Sequence, residues 1–334
     1  MPISERLKQV GSGVFGRLDG EKRSYRSSAQ QSQRPLIDLS LGSSDLKPPP
    51  RLLQVMADAI SEPLSSRYCL QAATAPFRQA AAAWVQGRFG VSVDPDREIL
   101  LLVGSQEGTA HLPLAVLNPG EHALVLDPSY PSHAGGVALA SGELVRLPLV
   151  AEQGWRPAFE QLSVEQQRQL RLLVMGYPHN PTATTGSQDW LEQAMAIAKQ
   201  GDAVLAHDNP YLDLALEGEA PALLRCDGWR ERGIEFFSFS KGWCLAGFRL
   251  AFAVGAPALI EALARVKGVV DFNQSLALQA GAITALDEFP HWPRQLCDRY
   301  RQRRDRMAAL LTAHGWNVPP VSYTHLTLPT TEAV

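Results

Sequence analysis

Ser238-Phe-Ser-Lys-Gly-Trp-Cys-Leu-Ala-Gly-Phe-Arg249 is the stretch from which the rest of the chain is read. An apolar, aromatic run, Ile234-Glu-Phe-Phe-Ser-Phe239, leads into it and predicts a buried strand. At the end of that run stands Lys241, with Ser240 beside it and Ser238 just before. A second apolar segment, Phe248 to Gly255, opens with Arg249 like the returning arm of a hairpin.

A lysine at the end of a buried strand is desolvated. Desolvation disfavours the ammonium form, lowers the pKa and frees the neutral amine to attack carbonyls. Two hydroxyls and an arginine beside it make a seat for a phosphate. A reactive amine next to a phosphate seat is what pyridoxal phosphate requires, an aldehyde held as a Schiff base and a phosphate anchored beside it. Ser238 to Lys241 also fits the S-x-x-K pattern of serine acylases, but the S-D-N and K-T-G strings that pattern needs do not occur.

Outward from this stretch the chain alternates. Strands are predicted at 37–42, 98–103, 122–126, 143–147, 170–176, 203–207, 234–239 and 249–254. Helices are predicted near 51–61, 75–89 and 104–116. The strands are almost continuously apolar, which predicts an α/β fold with a mostly parallel sheet covered on both faces. After Gly255 the pattern turns helical, with two long helices expected, 256–286 and 292–314. Gly11-x-Gly13-x-x-Gly16 has the form of a dinucleotide motif, but no strand precedes it, so a loop is expected there.

The totals narrow the classes. With 334 residues, 45% hydrophobic and 19% charged, the composition is that of a globular protein of up to two domains. A net charge of -3 gives no basic field for nucleic acid, and the arginines at 299, 301, 303, 304 and 306 read as a solvated helix face. Four cysteines without a C-x-x-C pair suit a reducing cytoplasm. Eight scattered histidines show no ligand spacing, so no metal is expected. Neither a signal peptide nor a membrane span is predicted.

In such sheets ligands sit at the carboxyl ends of the strands. Gly104-Ser105-Gln106 follows one strand and opens a helix, presenting backbone N–H groups to an anion, although a serine helix cap explains it equally well. Tyr177-Pro-His-Asn180-Pro follows another, with two prolines fixing the backbone around the Asn180 amide. Asp208-Asn-Pro-Tyr211 follows a third. A carboxylate buried there needs a cation, and a pyridinium nitrogen would serve.

These motifs together resemble the fold type I, pyridoxal phosphate-dependent aminotransferases of class I/II. The strings I-D-L-S-L-G, G-S-Q-E, D-P-S-Y-P, Y-P-H-N-P-T, D-N-P-Y and S-F-S-K-x7-R stand in that family's order and spacing, over about residues 12–320. The branch most resembled is the bacterial one with aspartate and LL-diaminopimelate aminotransferases.

The resemblance implies a three-layer αβα fold with a smaller, here incomplete, α/β domain. It implies an arm at 1–44, a large cofactor domain at 45–265 and a partial small domain at 266–320. It also implies roles. Lys241 would carry the cofactor as a Schiff base and move the proton. Asp208 would keep the ring nitrogen protonated. Tyr211 and Asn180 would bind the phenolate oxygen, and Tyr130 would stack on the ring. Ser105, Gln106, Ser238, Ser240 and Arg249 would hold the phosphate. Tyr68 would reach the cofactor of a second subunit, making a homodimer the active unit. Gly42 and Asn180 would face the substrate.

The implied reaction moves an amino group from an L-amino acid to a 2-oxo acid such as 2-oxoglutarate. A C–S lyase or related β-eliminating enzyme on the same scaffold is the alternative, as is a cofactor-binding fragment without turnover. A transcription regulator would need a winged-helix segment, for which the residues before Ile37 are too few.

Two departures stand out. Ala73 occupies a position where the family usually has glycine. Val321-Ser-Tyr-Thr-His-Leu326 reads like a translated transposon-end adaptor, so residues 321–334 are expected to be a non-native tail on a truncated gene. The arginine with which the family binds the substrate carboxylate would then be missing.

Overall fold

The computed structural model describes residues 3–10, 14–40, 42–316 and 318. Near its start, helix α1 spans Val14–Arg26. Gly16 therefore lies in a helix rather than in the expected loop, while Gly11 and Gly13 fall outside the described residues. The predicted strand at 37–42 does not form among its described residues, 37–40 and 42. Ile37 and Leu39 are exposed, and a strand exists only through ladder bonds to a neighbour, which this segment does not make.

Helices α2 (Pro50–Ile60) and α3 (Ala75–Phe89) follow. Each opens on a proline in its first turn, where the missing N–H costs no intrahelical bond. Strand β1 (Ile99–Leu102), helix α4 (Ser105–Val116), strand β2 (His122–Asp127) and helix α5 (Pro131–Leu139) come next. Then come β3 (Glu143–Pro148), β4 (Leu170–Met175), helix α6 (Gln188–Gly201) and β5 (Val204–Asp208). Strand β6 (Gly233–Ser238) leads into the one-turn helix α7 (Phe239–Gly242), and β7 (Ala251–Gly255) returns beside β6.

The seven strands form one sheet in the order β1-β7-β6-β5-β4-β2-β3. Only β7 runs against the rest. One edge of the sheet therefore collects the carboxyl ends of six strands and the start of β7. Arg249 precedes β7, and so it reaches the same edge as Lys241.

Alternation of side chains builds a core on each face. Leu101, Leu124, Leu173, Leu205, Phe237 and Phe252 point to one side and pack with Phe77 and Trp84 of α3 and Leu191 of α6. Leu102, Val125, Val174, Ala206, Phe236 and Ala253 point to the other and pack with Leu112 of α4, Val137 of α5 and Leu263 further on. Strands apolar on both faces read as unbroken hydrophobic runs, and the three-layer αβα arrangement expected from them is borne out.

The C-terminal helical region differs from expectation. In place of one helix at 256–286 there are two, α8 (Pro257–Val270) and α9 (Leu276–Glu288). Asp271 leaves α8 in extended conformation, and Ser275 caps α9 by accepting from the N–H of Ala277. Phe272, Asn273 and Gln274 thus form a connector, neither helix nor free loop. Helix α10 spans Trp292–Ala313. Its Arg301, Arg303 and Arg304 meet Asp298, Asp45 and Glu217, so part of the basic cluster is neutralised. The tail at 321–334 lies outside the described residues.

Candidate active site

Ser238, the last residue of β6, caps α7 through its Oγ, which accepts the N–H of Ser240 at 3.2 Å. The cap turns the chain within one residue of the strand end. Lys241 therefore emerges from a short helix, and not from the strand itself. Its Nζ donates to the carbonyl of Gly42 and lies 5.8 Å from the centre of the Tyr211 ring. Burial lowers the Lys241 pKa below the ordinary lysine range, and the nearby Arg249 charge lowers it further.

Asp208 ends β5 with its carboxylate buried. Oδ2 lies 3.2 Å from Nε2 of His133, in the first turns of α5. A carboxylate only accepts, so this places a proton on that ring nitrogen. Oδ1 is buried and meets no hydrogen-bond donor among the described residues. Such an atom is costly to leave unsatisfied, and a protonated pyridine nitrogen is a donor that would satisfy it. Asp208 as it stands therefore fits the ring nitrogen of pyridoxal phosphate.

Tyr211 is buried three residues later. Burial raises its phenol pKa, the Asp208 charge adds to the rise, and a hydrogen bond from the Asn180 side chain opposes it. Asn180 is held by its loop. The N–H of His179 bonds to the Thr184 carbonyl at 2.8 Å, and the N–H of Ala183 bonds back to His179 at 2.7 Å. The N–H of Tyr177 donates to Nε2 of His207 at 3.2 Å, and Nδ1 of His207 lies 2.8 Å from Oε1 of Glu235. Fully buried Glu235 also accepts from Asn209 and from the N–H of Leu224. A polar network beneath the strand ends thus fixes the loop that presents Asn180.

Tyr130 completes this wall. Its hydroxyl donates to Oε1 of Gln106 at 3.1 Å, and its ring meets His133 edge-on at 6.1 Å. Burial raises its pKa, with Asp208 adding to the rise and Arg249 opposing it. Ser105 opens α4, whose first N–H groups have no partner within the helix.

The guanidinium of Arg249 lies directly against Gly104. A methyl group at Gly104 would collide with it, and Gly104 has φ +80, which side chains rarely adopt. Arg249 itself takes the left-handed conformation, φ 53, and its carbonyl accepts from the Gln274 side chain. Strain at such a residue persists where the surroundings hold it. The Gly104→Ala variant is therefore expected to weaken pyridoxal phosphate binding at least about tenfold, measured by equilibrium titration. It should also lower stability by about 1–3 kcal/mol, read from denaturant unfolding.

The structure thus brings together Lys241, Gly42, Asp208, Tyr211, Asn180, Tyr130, Gln106, Ser105, Ser238, Ser240 and Arg249 at one edge of the sheet. Tyr68 stands outward, 82% exposed, with its ring 5.2 Å from that of Phe272. Sequence reading passed over His133, His207 and Glu235. Their polar partners lie on other strands and helices, and no local spacing announces them.

The family model described as "Aminotransferase class I and II" matches residues 34–330. The chain is 35% identical over 284 residues to an LL-diaminopimelate aminotransferase of Desulforudis audaxviator, covering 85% of this chain and 72% of that protein. It is 33% identical over 294 residues to the glutamate-pyruvate aminotransferase AlaC of Escherichia coli, covering 88% and 71%. Among solved structures, it superposes on a probable N-succinyldiaminopimelate aminotransferase from Thermus thermophilus. The TM-score is 0.84 and the identity 40%, covering 90% of this chain and 80% of that one.

Proposed function

The chain belongs to the class I and II aminotransferases, pyridoxal phosphate-dependent enzymes that act on amino acids and 2-oxo acids, and from that premise we propose how its own residues perform the transfer. The observation that carries the reading is the pairing of a buried Asp208 oxygen without a hydrogen-bond partner among the described residues with a desolvated Lys241 at the same edge of the sheet. When bound, the cofactor supplies an electron sink for the negative charge left at the substrate Cα.

Lys241 would hold the cofactor and then serve as the base that removes and returns the Cα proton. Asp208, oriented by His133, would hold the ring nitrogen and its proton. Tyr211 and Asn180 would bind the phenolate oxygen, and Tyr130 would pack against the ring. The α4 N-terminus, with Ser105, Gln106, Ser238, Ser240 and Arg249, would hold the phosphate. Gly42 and Asn180 face the substrate.

We further propose 2-oxoglutarate as an acceptor. The relative named for glutamate and pyruvate supports this, since removal of the amino group from glutamate gives that oxo acid. The relatives named for diaminopimelate support an amino donor of that type. The homologues are named as aminotransferases, and the C–S lyase alternative is not favoured.

The active unit in this reading is a homodimer. Tyr68, Val269 and Phe272 expose large apolar groups on one chain, and Tyr68 takes a role only in a partner's site. No described helix is long and apolar enough to cross a membrane, and four unpaired cysteines favour the cytoplasm. The division into an arm at 1–44, a cofactor domain at 45–265 and a small-domain portion at 266–320 belongs to the same proposal.

The test is the visible spectrum of the purified chain with pyridoxal phosphate, before and after amino donors. A Lys241-dependent band that bleaches with LL-diaminopimelate or glutamate, and recovers with 2-oxoglutarate, is the expected result. A band that never bleaches with any donor would overturn turnover by this chain. Release of pyruvate from cystathionine without bleaching would favour elimination instead.

A further inference from the structure

Beneath the phosphate seat lies an ion cluster that the reaction does not use. Glu107, in the first turn of α4, is buried, and so is Lys267 near the end of α8. The Lys267 ammonium donates to both Glu107 oxygens, at 3.0 and 3.1 Å, and to Oδ1 of Asp271 at 2.9 Å. The N–H of Val103 donates to Oε2 of Glu107. Donors converge on both oxygens, which is the geometry of an ionised carboxylate. Burial pushes the Glu107 carboxyl up, and the Lys267 charge works against that rise.

The position makes this pair consequential. Val103 immediately precedes Gly104, whose backbone packs on the Arg249 guanidinium. A carboxylate in the first turn of α4 competes with a phosphate for the same positive helix end and repels it. On the other side, Asp271 begins the connector that carries Gln274, whose side chain donates to the Arg249 carbonyl. One cluster therefore touches both halves of the anion seat.

We propose that Lys267 is a positioning residue for the cofactor phosphate: it cancels the Glu107 charge beneath the seat and, through Asp271, holds the connector that fixes Arg249. This rests on the cofactor reading given above. Removing either partner breaks the same buried ion pair, so both single variants lose stability. Their effects on phosphate differ in direction, and a merely structural role would not produce that difference.

The experiment measures the Kd for pyridoxal 5'-phosphate, and for pyridoxal without the phosphate, in wild type, Lys267→Met, Glu107→Gln and the double variant. Expected are a rise of about tenfold or more for Lys267→Met, and an unchanged or tighter Kd for Glu107→Gln. The double variant should bind more weakly than Glu107→Gln, because it also loses the Lys267 hold on Asp271, and less weakly than Lys267→Met, and pyridoxal itself should respond to none of them. Inorganic phosphate should compete in the same rank order.

Equal weakening by both single variants would overturn the proposal, as would a wild-type Kd in Lys267→Met. Should Lys267→Met fail to fold, the neutral background decides. Glu107→Gln must bind the phosphate form more tightly than the double variant, and equal values would sink the idea. A wild-type chain that forms no Lys241-dependent band would overturn the cofactor reading and this proposal together.

Discussion

Lys241→Ala removes the visible band formed with pyridoxal phosphate and lowers transamination by roughly 10^4-fold, the upper end of what a positioned proton-transfer group contributes. The reason is geometric. Lys241 is the amine that α7 projects beside Tyr211 and the Gly42 carbonyl. Thermal unfolding should move little, because the side chain lost is a partly buried cation and not a packed core group. The wild-type chain adds a pH signature. Capture of the cofactor needs the neutral amine, so its rate rises with pH. Burial and the Arg249 charge lower the Lys241 pKa, which places the midpoint of that rise below that of a free lysine. Stopped-flow absorbance across pH gives the midpoint. A residual band with turnover in Lys241→Ala would remove the central residue from the scheme.

Asp208→Asn is the second large effect. Asparagine keeps the size of the side chain but cannot hold a proton on the ring nitrogen by charge. Removing one preorganised electrostatic partner of this kind costs about 10²–10³ in kcat. The cofactor should remain bound, since the proposed phosphate seat at α4 is untouched. Loss therefore shows in kcat with little change in the Kd for pyridoxal phosphate. His133→Ala should shift kcat in the same direction and by less, because it orients Asp208 at 3.2 Å without replacing it. Near-normal kcat in Asp208→Asn would mean that its partnerless oxygen faces something other than the ring nitrogen.

Much of the fold was legible because its signals are local. Apolar strands at β1, β2, β4, β5 and β6 carry their own burial in their composition, and a buried parallel sheet is the arrangement that fits such runs. The strand ends were legible as well, since proline and glycine mark Tyr177 to Pro181 and Gly104. Where sequence reading erred, the missing term was a neighbour. Residues 37–42 alternate like a strand but have no ladder partner among the described residues. The helix predicted at 256–286 breaks at Asp271 to Ser275, where a serine cap and the Gln274 contact with Arg249 compete with helix continuation.

By itself, the sequence determined the class of fold, and it pointed to Lys241 as the proposed reactive lysine and to the residue types proposed for a phosphate and a ring nitrogen. Each of these depends on composition within a few residues. The tertiary structure decided which groups share a boundary. It set His133 against Asp208, Glu235 under the Asn180 loop, the Arg249 guanidinium against Gly104, and Lys267 against Glu107. Electrostatic coupling falls with distance in space and takes no account of separation along the chain. Partners 75 or 160 residues apart therefore leave no mark in the local pattern, and only folding brings them to hydrogen-bond distance.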